Sequence, residues 1–312
     1  MDRLTLLDTA ESLFNTAGFH VSKKCCARTS CFDFAVRKKE KVAFIKAHPN
    51  IGNIYEESAE GLKTVARLFH ASPVFVCEKN SNKPLEDDTI YSRYNIGAVT
   101  PNTLEDSLLK GMGPLIEAGP GGYYVKLDGK VLRKKRLQKG LSIGKMAEIT
   151  GVSRRTLYGY ERGMAKASVS TAYKLEWILG LPIVKPIDIF QHPQKFDGLL
   201  AVARRIIGES RFLQFAVKKL QQLNFSVFQT RRTPFDFIAR TAEGKISLLG
   251  AVIHEKERDF HARTEEILSI SKIVDAQPIL ITDCREGPDR NGLLHFNDFE
   301  KIKCTDDLMA KL

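Results

Sequence analysis

The chain has 312 residues, with 48 Lys and Arg against 37 Asp and Glu, so its formal net charge is +11. At about 100–200 residues per domain, this length predicts two or three domains, and the 43% hydrophobic fraction excludes wholesale disorder. No apolar run approaches the roughly 18–20 residues that span a bilayer, and the residues after Met1 do not resemble a secretory signal. The six Cys show no CxxC spacing, which indicates reduced thiols rather than a disulfide framework. We therefore expect a soluble, cytoplasmic, multidomain protein.

The first stretch, residues 1–110, alternates helical and strand-like patterns. The order of these patterns predicts a three-layer α/β unit of roughly 100 residues. The predicted elements are a helix at Leu4–Ala17, a strand pair that carries Asp33, a strand at Val42–Ala47, a helix at about Tyr55–Phe69, a buried strand at Val74–Cys77, and a final strand with a short helix.

Residues 111–127 are predicted to be a linker and a hairpin. Gly and Pro are frequent at about 107–122, which favours turns. Tyr123–Leu127 has a strand-like pattern, and the pair Asp128-Gly129 ends it in a tight turn. Tyr123–Lys126 could form a wing beside a DNA groove, but we favour a packing strand.

Residues 128–190 have the capping pattern of four short helices. Ser142, Ser153 and Ser168 stand where an N-cap hydroxyl is needed, and Gly151 stands where a sharp inter-helix turn needs a positive φ. Apolar positions recur at the spacing of two helices that cross over a small core. The predicted helices run from about Lys130 to Gln138, from Ser142 to about Thr150, from Ser153 to about Arg162, and from Ser168 to Gly180, with Trp177 expected in the core.

Most of the excess positive charge falls on this part of the chain. Residues 126–166 hold twelve basic and three acidic side chains, a net charge of +9, which leaves +2 for the other 271 residues. A charge run is usually only a solvated face, but this one coincides with the helical motif. The distribution therefore favours a local nucleic-acid footprint.

The motif resembles the lambda-repressor/Cro-type helix-turn-helix family over about residues 130–180. The resemblance rests on Gly140-Leu141-Ser142, on Tyr160-Glu161-Arg162-Gly163 and on the apolar residues between them, and it departs from the family at Ile143, where Gln often reaches a phosphate. It implies an all-α domain whose third helix enters the major groove with its N-terminal end first. It also implies that Glu161 pairs with an Arg of the first helix, here Arg133 or Arg136.

The candidate DNA-binding residues follow from this geometry. Arg is the commonest bidentate partner of guanine, so we expect Arg154 and Arg155 either to read bases or to contact only phosphates. Phosphate contacts supply affinity without sequence information. The candidates on the third helix are Ser153, Arg154, Arg155, Thr156 and Tyr158, and the phosphate candidates are Arg136, Lys139 and Lys145.

Residues 200–312 repeat the organisation of residues 1–110. Phe32-Asp33-Phe34-Ala35-Val36-Arg37 matches Phe235-Asp236-Phe237-Ile238-Ala239-Arg240, and a Pro follows each Asp after 40 or 42 residues. The agreement of order and spacing predicts a duplication. The second copy is predicted to contain a helix at Phe212–Leu223, a strand at Ile246–Ile253, a helix at about Lys256–Val274, and a buried strand at Ile279–Thr282.

A helix, a strand with Asp and a strand with Lys46 resemble restriction-endonuclease-like domains, including archaeal Holliday-junction resolvases. That family needs Asp, then acid-x-Lys on the next strand, to hold Mg²⁺ and activate water. Here Phe44 occupies the acid position of the first copy, with Glu11 as a candidate further ligand, and Leu248–Val252 supplies neither acid nor Lys in the second. The resemblance implies degenerate, non-cleaving domains, so we assign no catalytic residue, metal ligand or cofactor. Asp33 and Asp236 are expected to make turn or strand-edge hydrogen bonds.

The whole arrangement also resembles a family of archaeal HTH-type transcriptional regulators, on residues 121–190, including Ser153–Tyr158 and Pro186-Ile187-Asp188-Ile189. The resemblance implies a sequence-specific regulator that binds double-stranded DNA as a homodimer on a pseudo-palindromic site. Alternatively, the two flanking repeats pair within one chain. The rival functions are a metal-dependent, structure-specific nuclease targeted by the helix-turn-helix, a nonspecific architectural DNA binder, and an interaction scaffold.

Overall fold

The structure, a computed structural model, describes residues 2–190, 211–241, 247–253, 257, 259–282 and 293–312. Among the helices in these ranges, none has the length and apolar composition that a membrane crossing requires. The helices are α1 (Arg3–Thr16), α2 (Glu56–Leu68), α3 (Pro101–Glu105), α4 (Gly129–Gln138), α5 (Ile143–Thr150), α6 (Arg154–Glu161), α7 (Val169–Leu179), α8 (Arg211–Gln222), α9 (Phe260–Val274), α10 (Phe296–Lys301) and α11 (Thr305–Met309). The strands are β1 (His20–Val21), β2 (Phe34–Lys38), β3 (Lys41–Ala47), β4 (Ser72–Val76), β5 (Lys79–Asn80), β6 (Lys83–Pro84), β7 (Thr89–Arg93), β8 (Ile96–Val99), β9 (Ile116–Gly119), β10 (Gly122–Leu127), β11 (Ala167–Ser168), β12 (Val184–Lys185), β13 (Phe225–Gln229), β14 (Phe237–Thr241), β15 (Ser247–Ile253), β16 (Gln277–Thr282) and β17 (Leu293–His295).

The chain divides into two compact units. The first unit comprises Met1–Ala17, His48–Ile54 and Val74–Gln191, and the second comprises Gly18–Ala47, Tyr55–Pro73 and His192–Leu312. The first copy of the repeat thus contributes residues to both units, whereas the four helices α4–α7 lie in the first unit and the second copy lies in the second.

A run of paired strands in the first unit leads from the first repeat to the helical domain. β4 and β8 are parallel, β8 and β7 are antiparallel, and β7 and β9 are parallel. β9 and β10 then form an antiparallel hairpin within the predicted segment 111–127, and β10 pairs in turn with β11 and β12. Part of the segment that its Gly and Pro content predicted to be a linker is therefore the strand β9. Backbone hydrogen bonds on one edge of β9 join it to β10 of the helical domain, and those on its other edge join it to β7.

The hairpin strand β10 forms part of the core of the helical domain. Val125 and Leu127 are 4% exposed and pack with Leu132, Met146 and Leu157, which are fully buried. Alternate residues of a strand point to opposite faces, so Tyr124 and Lys126 do not share the face of Val125. The favoured packing-strand interpretation of Tyr123–Lys126 agrees with this arrangement.

In the second unit, the second copy shows the predicted order of elements over its described residues. β13, β14 and β15 are antiparallel, and β15, β16 and β17 are parallel. Ala216 and Leu220 of α8 are fully buried against this sheet. The first copy contributes the antiparallel strands β1, β2 and β3 to the same unit. Helix and sheet thus form the expected α/β layers.

Candidate nucleic-acid interface and the two aspartate centres

Serine hydroxyls fix where the helices of the DNA-binding candidate begin. Ser142 Oγ accepts the Lys145 N–H at 3.0 Å, Ser153 Oγ accepts the Thr156 N–H at 3.0 Å, and Ser168 Oγ accepts the Thr171 N–H at 3.2 Å. Each hydroxyl satisfies one of the donors left unpaired at a helix start. The three predicted N-caps are therefore confirmed.

Two glycines allow these helices to approach each other. Gly151 has φ +75° and ends α5, as the predicted sharp turn requires. Gly129 lies at the start of α4 against the end of α6, where an added Cβ would clash with the Glu161 carbonyl oxygen. Helix α4 can therefore pack against α6 in this way only if residue 129 has no side chain.

Arg136 and Glu161 form a buried ion pair between α4 and α6. Arg136 Nε lies 2.5 Å from Glu161 Oε1, Arg136 Nη2 donates to Glu161 Oε2 at 3.1 Å, and Nη1 donates to the Leu141 carbonyl at 2.7 Å. Arg136 is 5% exposed. Of the two pairings expected for Glu161, the structure shows the one with Arg136. The prediction of Arg136 as a phosphate contact was wrong, because its guanidinium is directed inward.

Helix α6, the predicted recognition helix, exposes most of its predicted DNA-binding residues. Ser153, Arg154, Arg155 and Tyr158 are exposed and Thr156 is partly buried. The hydroxyls of Ser153 and Thr156 lie 2.8 Å apart, so both are partly engaged in the cap. The Arg154 guanidinium lies against the first turn of α5, since a Cβ added to Gly144 would lie 3.0 Å from Arg154 Nε. Arg155 makes no hydrogen bond or ion pair with any residue that the structure describes.

Other basic side chains surround this helix. Lys139 is exposed at the end of α4. Lys145 makes only a solvated pair with Glu148, 3.2 Å apart, with side chains 57% and 70% exposed, and such pairs contribute little to stability. Sequence reasoning missed Arg162, whose guanidinium carbon lies 5.5 Å from the centre of the Tyr158 ring. The i, i+4 spacing of Tyr158 and Arg162 on one helix was the available signal.

Trp177 lies on the surface, contrary to its expected place in the core. It is 78% exposed, and Tyr173, one turn earlier on α7, is 67% exposed. The buried face of α7 is formed instead by Ala172, Leu175 and Leu179. A residue two positions after Leu175 points away from that face, because successive helical positions are about 100° apart.

Asp128 joins the strand β10 to the start of α4. Its Oδ1 accepts the N–H groups of Lys130 and Val131, both at 3.1 Å, and its Oδ2 lies 2.8 Å from Lys185 Nζ. The Lys185 interaction and the two N–H groups hold the pKa of Asp128 below its ordinary value of 3.8. The carboxylate therefore orients the first helix of the motif as its N-cap.

The two predicted aspartates occupy equivalent positions in their sheets. The Asp33 N–H donates to the Ile45 carbonyl and the Asp236 N–H to the Gly250 carbonyl. Asp33 Oδ2 accepts the Ala47 N–H and Asp236 Oδ2 accepts the Val252 N–H, each at 2.8 Å. This correspondence supports the predicted duplication, and it aligns Lys46 with Ala251. Both carboxylates make the expected strand hydrogen bonds.

In the first copy, Asp33 is paired with the Lys of its own motif. Lys46 Nζ lies 2.9 Å from Asp33 Oδ1 and also donates to the Ser30 carbonyl at 2.9 Å. The Asp33 side chain is 3% exposed. Phe44, at the position of the family's acid, is fully buried and packs on Phe32 with ring centres 4.8 Å apart.

In the second copy, two arginines surround Asp236 and a further acid, Glu257. Arg263, whose side chain is fully buried, lies 2.8 Å from Asp236 and 3.0 Å from Glu257. Arg28 of the first copy lies 3.0 Å from Asp236 and 2.9 Å from Glu257. Two carboxylates and two guanidinium groups thus neutralise each other. Across the described ranges, no group of three or more His, Cys, Asp or Glu side chains could hold a metal ion.

Two segments of the chain match known families. Residues 3–114 match the PD-(D/E)XK superfamily domain, and residues 132–185 match a helix-turn-helix family. One chain of a solved SinR protein/SinI protein complex is 26% identical over 18% of this chain and 55% of that chain, with a TM-score of 0.17. The match of residues 3–114 to the PD-(D/E)XK superfamily agrees with the nuclease-like resemblance of the first copy.

Curated relatives cover nearly the whole chain. The "Putative HTH-type transcriptional regulatory protein" of Pyrococcus horikoshii is 34% identical over 99% of this chain and 97% of its own length. Proteins with the same description from Methanocaldococcus jannaschii and Thermococcus kodakarensis are 33% and 31% identical, over 98% and 99% of this chain and 94% and 95% of their own lengths. The chain therefore belongs to this archaeal family of HTH-type transcriptional regulatory proteins.

Proposed function

We propose that the protein is a sequence-specific regulator of transcription that binds double-stranded DNA in the cytoplasm and reads the major groove with the helix 153–162. The observation that carries this proposal is the exposed Arg155 at the start of α6, a helix whose orientation is fixed by the buried Arg136–Glu161 pair. An arginine near the N-terminal end of a recognition helix is placed to contact guanine. The net charge of +9 over residues 126–166 supplies affinity for the phosphate backbone.

We expect Arg154 and Arg155 to make different contacts with DNA. Arg154 lies against the first turn of α5, where backbone N–H groups and a guanidinium together favour a phosphate. Arg155 carries direct base readout, with Ser153, Thr156 and Tyr158 beside it. Lys139 and Lys145 are phosphate contacts at the ends of the neighbouring helices.

Selection of binding sites from a random DNA library tests sequence specificity. We expect an enriched site, and Arg155→Ala should weaken binding to it by about 1–3 kcal/mol and relax selectivity at one base pair. Arg154→Ala should weaken binding to all sequences to a similar extent. Lys218→Ala, on an exposed position of α8 in the other unit, serves as the control. Recovery of no enriched site would favour nonspecific architectural binding.

The match to the PD-(D/E)XK superfamily favours one alternative, a metal-dependent nuclease targeted by the helix-turn-helix. Against it, the acid position holds Phe44, and the retained carboxylates pair with Lys46, Arg28 and Arg263. Because a hard divalent cation needs several oxygen ligands, we propose that neither copy cleaves DNA. Incubation with plasmid and branched DNA in Mg²⁺ or Mn²⁺ tests this, and cleavage that disappears in Asp33→Ala would establish the nuclease.

The form of the DNA site depends on how the chains associate. A homodimer would place two recognition helices about one helical turn apart on a pseudo-palindrome, as the family resemblance implies. A chain whose flanking repeats pair with each other presents one such helix. The contacts within the second unit bear on this choice.

A further inference from the structure

Within the second unit, equivalent parts of the two repeats contact each other reciprocally. Helix α9 of the second copy contacts the first copy, because Glu266 Oε1 accepts the N–H groups of Cys26 and Ala27 at 2.6 and 2.8 Å. Lys23 Nζ also lies 2.7 Å from Glu265 Oε2. The corresponding helix of the first copy, α2, contacts the second copy through Glu57, which lies 2.8 Å from Arg232 Nη2.

Two matched arginines repeat this reciprocity at the helix ends. Arg37 and Arg240 close the two matching sequence motifs. Arg37 Nη1 donates to the carbonyl of Ile273 at the end of α9, at 3.2 Å. The Arg240 guanidinium lies 5.9 Å from the ring centre of Phe69, directly after α2. Each copy thus inserts the same arginine at the end of the other copy's long helix.

Matched residues also meet at the centre of this contact. Phe32 and Phe235, the first residues of the two motifs, have ring centres 6.3 Å apart and are 0% and 1% exposed. Next to them, the Cys31 N–H donates to the Arg232 carbonyl at 2.7 Å. A contact in which each partner presents the same patch is isologous and closes on itself. The two copies therefore form an internal pseudo-dimer and bury these faces within one chain.

The charges around the aspartates favour pairing of unlike copies. Arg28 of the first copy fits the second copy because Asp236 and Glu257 supply two carboxylates there, and Ala251 stands in the place of Lys46. If two first copies paired, Arg28 would face Asp33, whose carboxylate already binds Lys46 in a buried pair. Arg28 would then face no carboxylate free to pair with it, so this contact opposes pairing between first copies of different chains.

We infer that the chain is a monomer that contains its own pseudo-dimer, and that its DNA target is a single asymmetric site contacted by one recognition helix. The target part of this inference rests on the proposed function. Joining the two copies in one chain makes their pairing an intramolecular event, which favours internal over intermolecular pairing. The second copy thus pairs with the first copy in the place that a second protomer would otherwise fill. It does not supply a second helix-turn-helix.

Mass photometry and sedimentation of the full-length chain test the monomer directly. We expect one species of 35.0 kDa at working concentrations, and a 1:1 complex with a selected site that lacks dyad symmetry. A species of twice that mass, or a dyad-symmetric site bound by two chains, would overturn the inference while leaving the regulator proposal intact. If selection yields no site, the regulator proposal fails, and the mass of the free chain still decides between monomer and dimer.

Thiol alkylation reports on the internal contact itself. Cys31 is fully buried at the contact, and burial raises its pKa to about 12, whereas Cys304 is exposed. Arg28→Glu places a third carboxylate beside Asp236 and Glu257 and should speed alkylation of Cys31 by about tenfold or more relative to Cys304. Lys218→Glu makes the same charge change on an exposed face of α8 and should leave the ratio unchanged. Equal ratios in the two variants would show that Arg28 does not hold the copies together.

Discussion

Helix α6 and the Asp236 centre use arginine in opposite ways. On α6, Arg154 and Arg155 are exposed, and Arg155 has no partner in the part of the chain that the structure describes. At the Asp236 centre, Arg263 is fully buried and Arg28 is 39% exposed, and both guanidinium groups are bound to carboxylates of the chain. An exposed arginine remains available to an external anion, whereas a neutralised one is already bound to carboxylates of the chain. We therefore expect the DNA-binding capacity to lie in the helical domain.

Of the substitutions that test this difference between α6 and the Asp236 centre, removal of Arg263 should have the largest effect. Arg263→Met leaves Asp236 and Glu257 with only one guanidinium, so the free energy of unfolding of the second unit should fall by about 3–5 kcal/mol. Denaturant unfolding followed by circular dichroism measures it. Arg28→Met, at a more exposed side chain, is the matched control and should cost less. Equal losses in the two variants would contradict the assignment of Arg263 as the buried member.

The helical domain contains its own buried pair, so Glu161→Ala should destabilise that domain strongly. Arg136 would be left unpaired at 5% exposure, a change that typically costs about 3–5 kcal/mol. DNA affinity should fall at temperatures where the variant domain unfolds and recover on cooling. Glu148→Ala removes an exposed acid from the neighbouring helix and should change stability by less than about 0.5 kcal/mol. A Glu161→Ala variant of unchanged stability would show that the pair is not needed to hold α6.

Loss of the Asp128 cap should have a moderate effect. Asp128→Ala removes the acceptor for two N–H groups of α4 and should cost about 1 kcal/mol, measured by thermal unfolding at pH 7. Because the folded-state pKa of Asp128 is lowered, its contribution is present above the ordinary pKa of 3.8 and is lost as the pH falls through the folded pKa. The difference in the free energy of unfolding between wild type and variant should therefore decrease as the pH falls through the folded-state pKa. A difference that grows there would contradict this sign.

Substitution of a single predicted phosphate contact should have the smallest effect. Lys145→Ala should weaken binding nearly uniformly across DNA sequences and reduce the slope of log affinity against log salt by about 1. Titrations at several salt concentrations measure this slope. Lys301, also in a solvated i, i+3 pair but in the second copy, is the control, and Lys301→Ala should leave the slope unchanged. An unchanged slope in Lys145→Ala would remove Lys145 from the interface.

Local signals predicted the helical domain well. Ser142, Ser153 and Ser168 cap helices because a hydroxyl at that position satisfies nearby backbone donors, and Gly151 adopts the left-handed conformation that the turn needs. Trp177 was misplaced, since an aromatic residue among apolar positions suggests a core even when its helical phase points outward. Arg136 was misassigned because charge alone does not show which of several arginines faces inward.

By itself, the sequence determined the order of the elements, the site of the helix-turn-helix and the concentration of charge there, and it predicted a duplication of the flanks. These depend on caps, turns, periodicity and spacing, all of which act between residues close along the chain. Only the tertiary structure decided that Arg136 pairs with Glu161, that Arg28 binds Asp236 and that β9 is a sheet strand. Arg28 and Asp236 are far apart in sequence, and many arginines and carboxylates satisfy the same pattern. Packing alone selects which of them meet.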